Sequence, residues 1–232
     1  MNMDQNLKPA IVSAIIIGAF TLIAACVTPV VMRLIDAWGQ DGGRGGRPAP
    51  TANPALLFAD DFELGVSSEW QVLVGEWRVV DGRLAPADFS RADGDAGLLL
   101  TSSRYEGQAA YRVAFDASEL SGEHMLALWV NMQDIENAMI FAADREMAYC
   151  GLYIDGEHTQ IERLALDLED DVHHYVVEVR GDAYAYWIDD RRVCAFTDTT
   201  FTGGQIGLWD WQRGSSAAGA PWFDNVEVTS LR

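Results

Sequence analysis

Apolar and polar positions divide the chain into two regimes. Residues 9–31 run PAIVSAIIIGAFTLIAACVTPVV without one charge. An apolar stretch of about 20 residues matches the ~30 Å hydrocarbon layer of a bilayer, so 9–35 is predicted to be a transmembrane helix or signal anchor behind a short tail, 1–8. Beyond residue 54 the period changes to two. Alternating, β-branched and aromatic segments fall at 56–62, 70–74, 76–80, 83–85, 97–100, 109–116, 124–133, 137–142, 148–155, 160–165, 173–180, 183–189, 192–197, 205–211 and 221–229. Each has the character of a strand. Asp81-Gly82, Asp93-Gly94, Glu106-Gly107, Ser121-Gly122, Asp155-Gly156, Gly181-Asp182 and Gly203-Gly204 separate them with turn chemistry. No stretch beyond 54 carries a helical apolar face. The pattern predicts an all-β domain over 55–232, a two-sheet antiparallel sandwich of jelly-roll type. No repeat at 20–50 residues suggests a propeller or solenoid.

The anchor admits a second reading. Ile23-Ala24-Ala25-Cys26 is similar to a lipobox, which would make Cys26 a lipidated first residue. Against that, the residues after Cys26 stay largely apolar, and the run exceeds the 7–15 residues usual for a cleaved signal. Lys8 and Arg33 flank the span almost symmetrically, so charge alone does not orient it. Residues 36–54 are rich in Gly and Pro and form a tether without a core.

Charge narrows the partners. Net charge is −19, the only lysine is Lys8, and 55–232 holds 32 acidic against 12 basic residues. Such a surface repels nucleic acid and anionic membranes. It suits neutral ligands, cations and the outside of a cell. Cys150 and Cys194 lie in strand-like runs; they pair in an oxidising compartment or stay as buried thiols.

The order of several motifs carries a resemblance. Ala59-Asp60-Asp61-Phe62-Glu63, Ser68-Glu69-Trp70, Gly75-Glu76-Trp77-Arg78-Val79 and Asp81-Gly82-Arg83-Leu84 open the domain. The hairpin unit 175–195 stands in its middle. Gly204-Gln205-Ile206-Gly207-Leu208 and Phe223-Asp224-Asn225-Val226-Glu227-Val228 close it. Together they resemble the concanavalin A-like lectin and glucanase superfamily, especially laminin-G-like modules and the 3-keto-disaccharide hydrolase-like group. The resemblance implies two curved sheets with adjacent first and last strands. It also implies a structural calcium there, on Asp60, Asp61 and Asp224 beside Asn225. Residues 88–95 are a second acidic loop with oxygen donors.

Catalytic motifs are sparse. The Glu-x-Asp-x-x-Glu strand of family-16 glucanases has no match at 134–136, 155–157 or 167–171. No nucleophile elbow, phosphate loop or paired-cysteine zinc motif occurs. His124, His158, His173 and His174 lack metal-ligand spacing.

Aromatic and amide residues suggest sugar recognition, because sugars present apolar faces ringed by hydroxyls. Alternation places Ala127, Trp129, Asn131 and Gln133 opposite the core residues Leu126, Leu128, Val130 and Met132. It places Tyr149 and Tyr153 opposite Cys150, Leu152 and Ile154. If their strands neighbour one another in the concave sheet, Trp129, Asn131, Gln133, Tyr149, Tyr153 and Arg180 form a groove, extended by Trp209 and Trp211. Trp70, Trp77 and Trp222 fit the core. The expectation is a membrane-anchored extracytoplasmic domain that binds a glycan or surface protein without catalysis. The alternatives are a glycoside hydrolase, or an accessory single-span subunit whose Ser13, Ala14, Gly18, Ala24 and Ala25 permit close helix packing.

Overall fold

The structure is a computed structural model that describes residues 54–89, 94–101, 105, 109–118, 123–168 and 172–231. The expected membrane segment, the tether and Cys26 lie outside these residues. Among the described residues no helix is long and apolar enough to cross a membrane.

Among the described residues fifteen strands follow one another: β1 Leu56–Asp60, β2 Trp70–Gly75, β3 Trp77–Val80, β4 Arg83–Pro86, β5 Gly94–Thr101, β6 Ala110–Ser118, β7 His124–Asp134, β8 Asn137–Ala143, β9 Met147–Ile154, β10 Glu157–Ala165, β11 His173–Arg180, β12 Ala183–Ile188, β13 Arg191–Thr197, β14 Gln205–Gln212 and β15 Trp222–Ser230. All pair antiparallel. One sheet runs β13-β12-β11-β6-β15-β4-β3, with β1 also on β15; the other runs β10-β9-β8-β7-β14-β5-β2. The first and last strands are therefore neighbours, as expected. Only Glu76 separates β2 from β3, so the chain steps directly from one sheet to the other.

Alternation determines what lies between the sheets. Leu126, Leu128 and Val130 of β7, Met139 and Phe141 of β8, and Ile206 and Leu208 of β14 meet Tyr111, Val113 and Phe115 of β6, Tyr175 and Val177 of β11 and Phe223 of β15. Phe115 and Tyr175 stack at 4.9 Å between ring centroids. A disulfide joins Cys150 of β9 to Cys194 of β13, one strand from each sheet, with Cα atoms 6.5 Å apart. The two-residue turns behave as their chemistry requires. Asp81-Gly82 and Asp155-Gly156 take left-handed φ at both positions, the geometry that matches strand twist. Asp189-Asp190 does the same without glycine. There the Asp189 carboxylate is held by the backbone N–H of His174 at 2.9 Å and by His173 Nδ1 at 2.5 Å.

One strand breaks its own alternation. Asn131 has φ 51°, and the β7–β8 register shifts between Val130 and Asp134. Left-handed backbone at one residue reverses which face the next side chains meet. Asn131 consequently turns into the core, and Met132 joins the outer face of the seven-stranded sheet.

Candidate functional site

The outer face of the seven-stranded sheet carries its own apolar cluster. Leu98, Met125, Ala127, Trp129, Met132, Ala138, Ile140, Ala142, Tyr149 and Trp209 pack there, flanked by Val74, Met147, Tyr153 and Trp211. Strand register sets the rows. One row crosses Arg163, Tyr149, Ala142, Ala127, Trp209 and Leu98; the next crosses Gln160, Gly151, Ile140, Trp129 and Gly207. Strands lie about 4.8 Å apart, so Tyr149 and Trp209 stand roughly 14 Å apart with two alanines between them. Large rings thus flank a floor of small side chains.

The rings contact one another. Trp129 stacks on Tyr153 at 5.4 Å and 16°, and tilts against Trp209 at 5.9 Å. His158 of β10 packs against Tyr149 at 5.3 Å and Tyr153 at 5.1 Å. Gly151 is what admits it, since a Cβ there would lie 2.8 Å from His158 Nε2 and 2.7 Å from the Thr159 carbonyl. Partial desolvation against the two tyrosine rings lowers the His158 pKa. Burial also raises the Tyr149 hydroxyl. Trp129, Tyr149 and Trp209 are buried, Tyr153 and Trp211 are half-buried, and His158 and Gln133 are exposed. Arg213 lies over the Trp211 ring at 5.7 Å. The Trp129 indole N–H is buried and has no hydrogen-bond partner among the described residues.

The expected groove is assembled in part. Trp129, Tyr149, Tyr153, Trp209 and Trp211 share this face. Gln133 sits at its end, donating through Nε2 to the carbonyls of Gly203 (2.6 Å) and Asn131 (3.0 Å). Arg180 does not join them. It lies on β11 in the opposite sheet, paired with Glu178 at 3.3 Å. Asn131 does not join them either. Its Oδ1 accepts from Tyr111 at 2.7 Å and its Nδ2 donates to Tyr184 at 2.8 Å, tying the two sheets together. Burial lifts the Tyr184 hydroxyl to about 12, although its bond to Asn131 pulls the other way.

The three aspartates expected to hold calcium are largely engaged elsewhere. Asp60 accepts the Phe62 backbone N–H at 2.9 Å and the Trp70 indole N–H at 2.8 Å. Asp61 accepts the Glu63 N–H, and Asp224 that of Asn225. Burial raises the Asp224 carboxyl, with Asp116 and Asp61 adding to the rise while Asn225 and Arg83 oppose it. Asp116 is itself held by His174 and Asn225. Among the described residues no group of three or more His, Cys, Asp or Glu side chains is disposed to hold a metal ion. Asp60 thus accepts one N–H at each carboxylate oxygen.

A polar pair absent from the sequence reading lies between the sheets. His124 Nδ1 meets Asp210 at 3.1 Å and Nε2 meets the Ser216 carbonyl at 2.8 Å. Both ring nitrogens face acceptors, which is the arrangement of an imidazolium. Burial works against that charge, but Asp210 and the Ser216 carbonyl outweigh it and the His124 pKa is raised. Burial likewise raises Asp210, with His124 pulling it down. Asp210 shares the core-facing parity of Ile206 and Leu208, and an acid on that face signals a buried partner.

No protein-family model matches the chain. No curated protein matches it either. Solved structures do. The carbohydrate-binding module CBM66 from Bacillus subtilis is 21% identical with a TM-score of 0.57, over 70% of this chain and 96% of that one. An endo-beta-1,3-glucanase from Pyrococcus furiosus is 14% identical with a TM-score of 0.60, over 77% and 95%. The potassium-bound carbohydrate recognition domain of Emp46p is 14% identical with a TM-score of 0.53, over 75% and 93%. The fold is a concanavalin A-like jelly-roll sandwich.

Proposed function

We propose that the domain is a glycan-recognition module, carried outside the cytoplasm on a membrane anchor formed by residues 9–35. The observation that carries the reading is the outer face of the seven-stranded sheet. There the half-buried rings of Tyr153 and Trp211 are backed by Trp129 and Trp209. Sugar rings lie on aromatic faces through C–H contacts. The likeness to the carbohydrate-binding module CBM66 and to the Emp46p carbohydrate recognition domain supports the same reading. Recognition without hydrolysis is favoured because glycosidases require two carboxyl groups across the bound sugar. Two acids at the turns of these strands are engaged by backbone: Asp134 receives Glu136 N–H and Asp144 receives Glu146 and Met147 N–H. The Cys150–Cys194 disulfide supports an extracytoplasmic location.

A glycan array probed with the full-length chain in detergent, followed by a reducing-sugar assay on any glycan bound, tests this. Binding without product is expected. Product release would assign the face to a hydrolase. An empty array, with stoichiometric co-purifying proteins, would replace the glycan by a surface or membrane-complex partner.

A further inference from the structure

The eight-stranded sheet carries a second cleft, of about 250 Å³, at its β3–β4–β15 corner. Arg78 of β3 and Arg83 of β4 line it from the sheet. Arg78 is in register with Ala85, and Arg83 with Val80, so the two arginines are diagonal neighbours on one face. Such residues have Cα atoms about 7–8 Å apart, close enough for both guanidiniums to reach one anion. Arg83 is already oriented, its guanidinium lying 4.1 Å from the centroid of Trp222. The Arg78 side chain is exposed and makes no ion pair or hydrogen bond among the described residues. In a domain with 32 acidic and 12 basic residues, two arginines converging on one cleft are unusual. Asp81 lines the same cleft and Asp224 acts on Arg83 from beside it, so two carboxylates border the two guanidiniums.

The opposite wall is built rather than loose. Phe89 and the segment bearing Ala217 and Ala220 close the cleft. Both converge on the buried His124. Phe89 meets its ring edge-on at 5.8 Å, and Ser216 receives its Nε2. The His124–Asp210 pair therefore pins the wall that faces the two arginines.

We infer that this cleft is a ligand site separate from the aromatic face, and that it takes a single ring bearing a carboxylate, of the kind a uronic acid presents. Paired guanidiniums match the planar, two-oxygen geometry of a carboxylate. Phe89, Pro86 and Val80 offer apolar contact to the ring. The volume lies below the 300–1,000 Å³ of sites for larger ligands, which limits the occupant to about one ring.

The test titrates sodium glucuronate, and glucose as its neutral counterpart, into the full-length chain at low ionic strength by calorimetry. Saturable binding of glucuronate is expected, with glucose at least about tenfold weaker, because a charge-assisted contact is lost. Arg78→Gln, whose side chain is exposed and unpaired, should weaken glucuronate by about tenfold or more with an unchanged melting temperature. Tyr153→Ala on the other sheet should leave it unaltered. No saturable glucuronate binding, equal affinity for glucose, or insensitivity to Arg78→Gln would each overturn the inference. Sensitivity to Tyr153→Ala alone would return the ligand to the aromatic face and leave the proposed glycan function standing.

Discussion

Asn131 Nδ2 donates to the Tyr184 hydroxyl at 2.8 Å, from a strand of one sheet to a strand of the other. Tyr111 donates to the same side chain at 2.7 Å, and Tyr184 donates on to the Phe201 carbonyl at 3.1 Å. Gly204, with φ 138°, lets the segment after Phe201 approach, since a Cβ there would lie 2.5 Å from the Met132 carbonyl. Asn131→Leu should therefore cost about 1–3 kcal/mol, because it strands buried hydroxyls. Urea unfolding followed by tryptophan fluorescence measures it.

The strands were legible because alternation and turn residues are local signals. All fifteen predicted segments correspond to observed strands, and Asp81-Gly82 and Asp155-Gly156 turn as expected. Sheet membership is not local. Arg180 and Tyr153 each alternate correctly on their own strands, yet crossovers send β9 and β11 to different sheets. The inversion at Asn131 has only a weak sequence mark, the tolerance of Asn for left-handed backbone. His124 and Asp210 are 86 residues apart; only the core-facing parity of Asp210 hints at their meeting.

The His124 pair gives the domain an alkaline limit. Its folded pKa is raised above the ordinary 6.5, so this contribution is complete below about 6.5 and is lost as pH climbs through the raised folded value. Unfolding free energy should fall between neutral and alkaline pH, and His124→Gln should flatten that slope. His124→Ala leaves Asp210 buried without its partner and should cost about 3–5 kcal/mol. Denaturant titrations at several pH values check both.

The disulfide spans a sequence separation of 44 residues. Chain-entropy reasoning gives about 4 kcal/mol for closing such a loop. Reduction should lower the unfolding free energy by up to that amount while the folded reduced domain keeps its β-sheet circular dichroism signal.

The aspartates near the joined termini should not depend on calcium. Since no group of three or more His, Cys, Asp or Glu side chains among the described residues is disposed to hold a metal ion, EDTA should shift the thermal midpoint by less than about 1 °C, for want of a ligand stabilising the native state by mass action. Differential scanning calorimetry with and without calcium reads this directly.

Gly151 controls the aromatic face at a distance from Trp129. Gly151→Ala should drive His158 off the two tyrosines, because the new methyl meets the Thr159 carbonyl and the imidazole. Glycan affinity should drop, and the His158 resonance should titrate nearer the ordinary 6.5 in NMR spectra of the labelled chain.

Glycan recognition turns most on the face formed by Trp129, Tyr153 and Trp211. Its sharpest measurement is the affinity of the full-length chain for its best array glycan, compared with Tyr153→Ala and Trp211→Ala, whose half-buried rings can be removed without opening the core. A loss of about tenfold or more in each is expected, from one stacking contact, at unchanged thermal midpoint. Undiminished affinity in both variants would contradict the assignment.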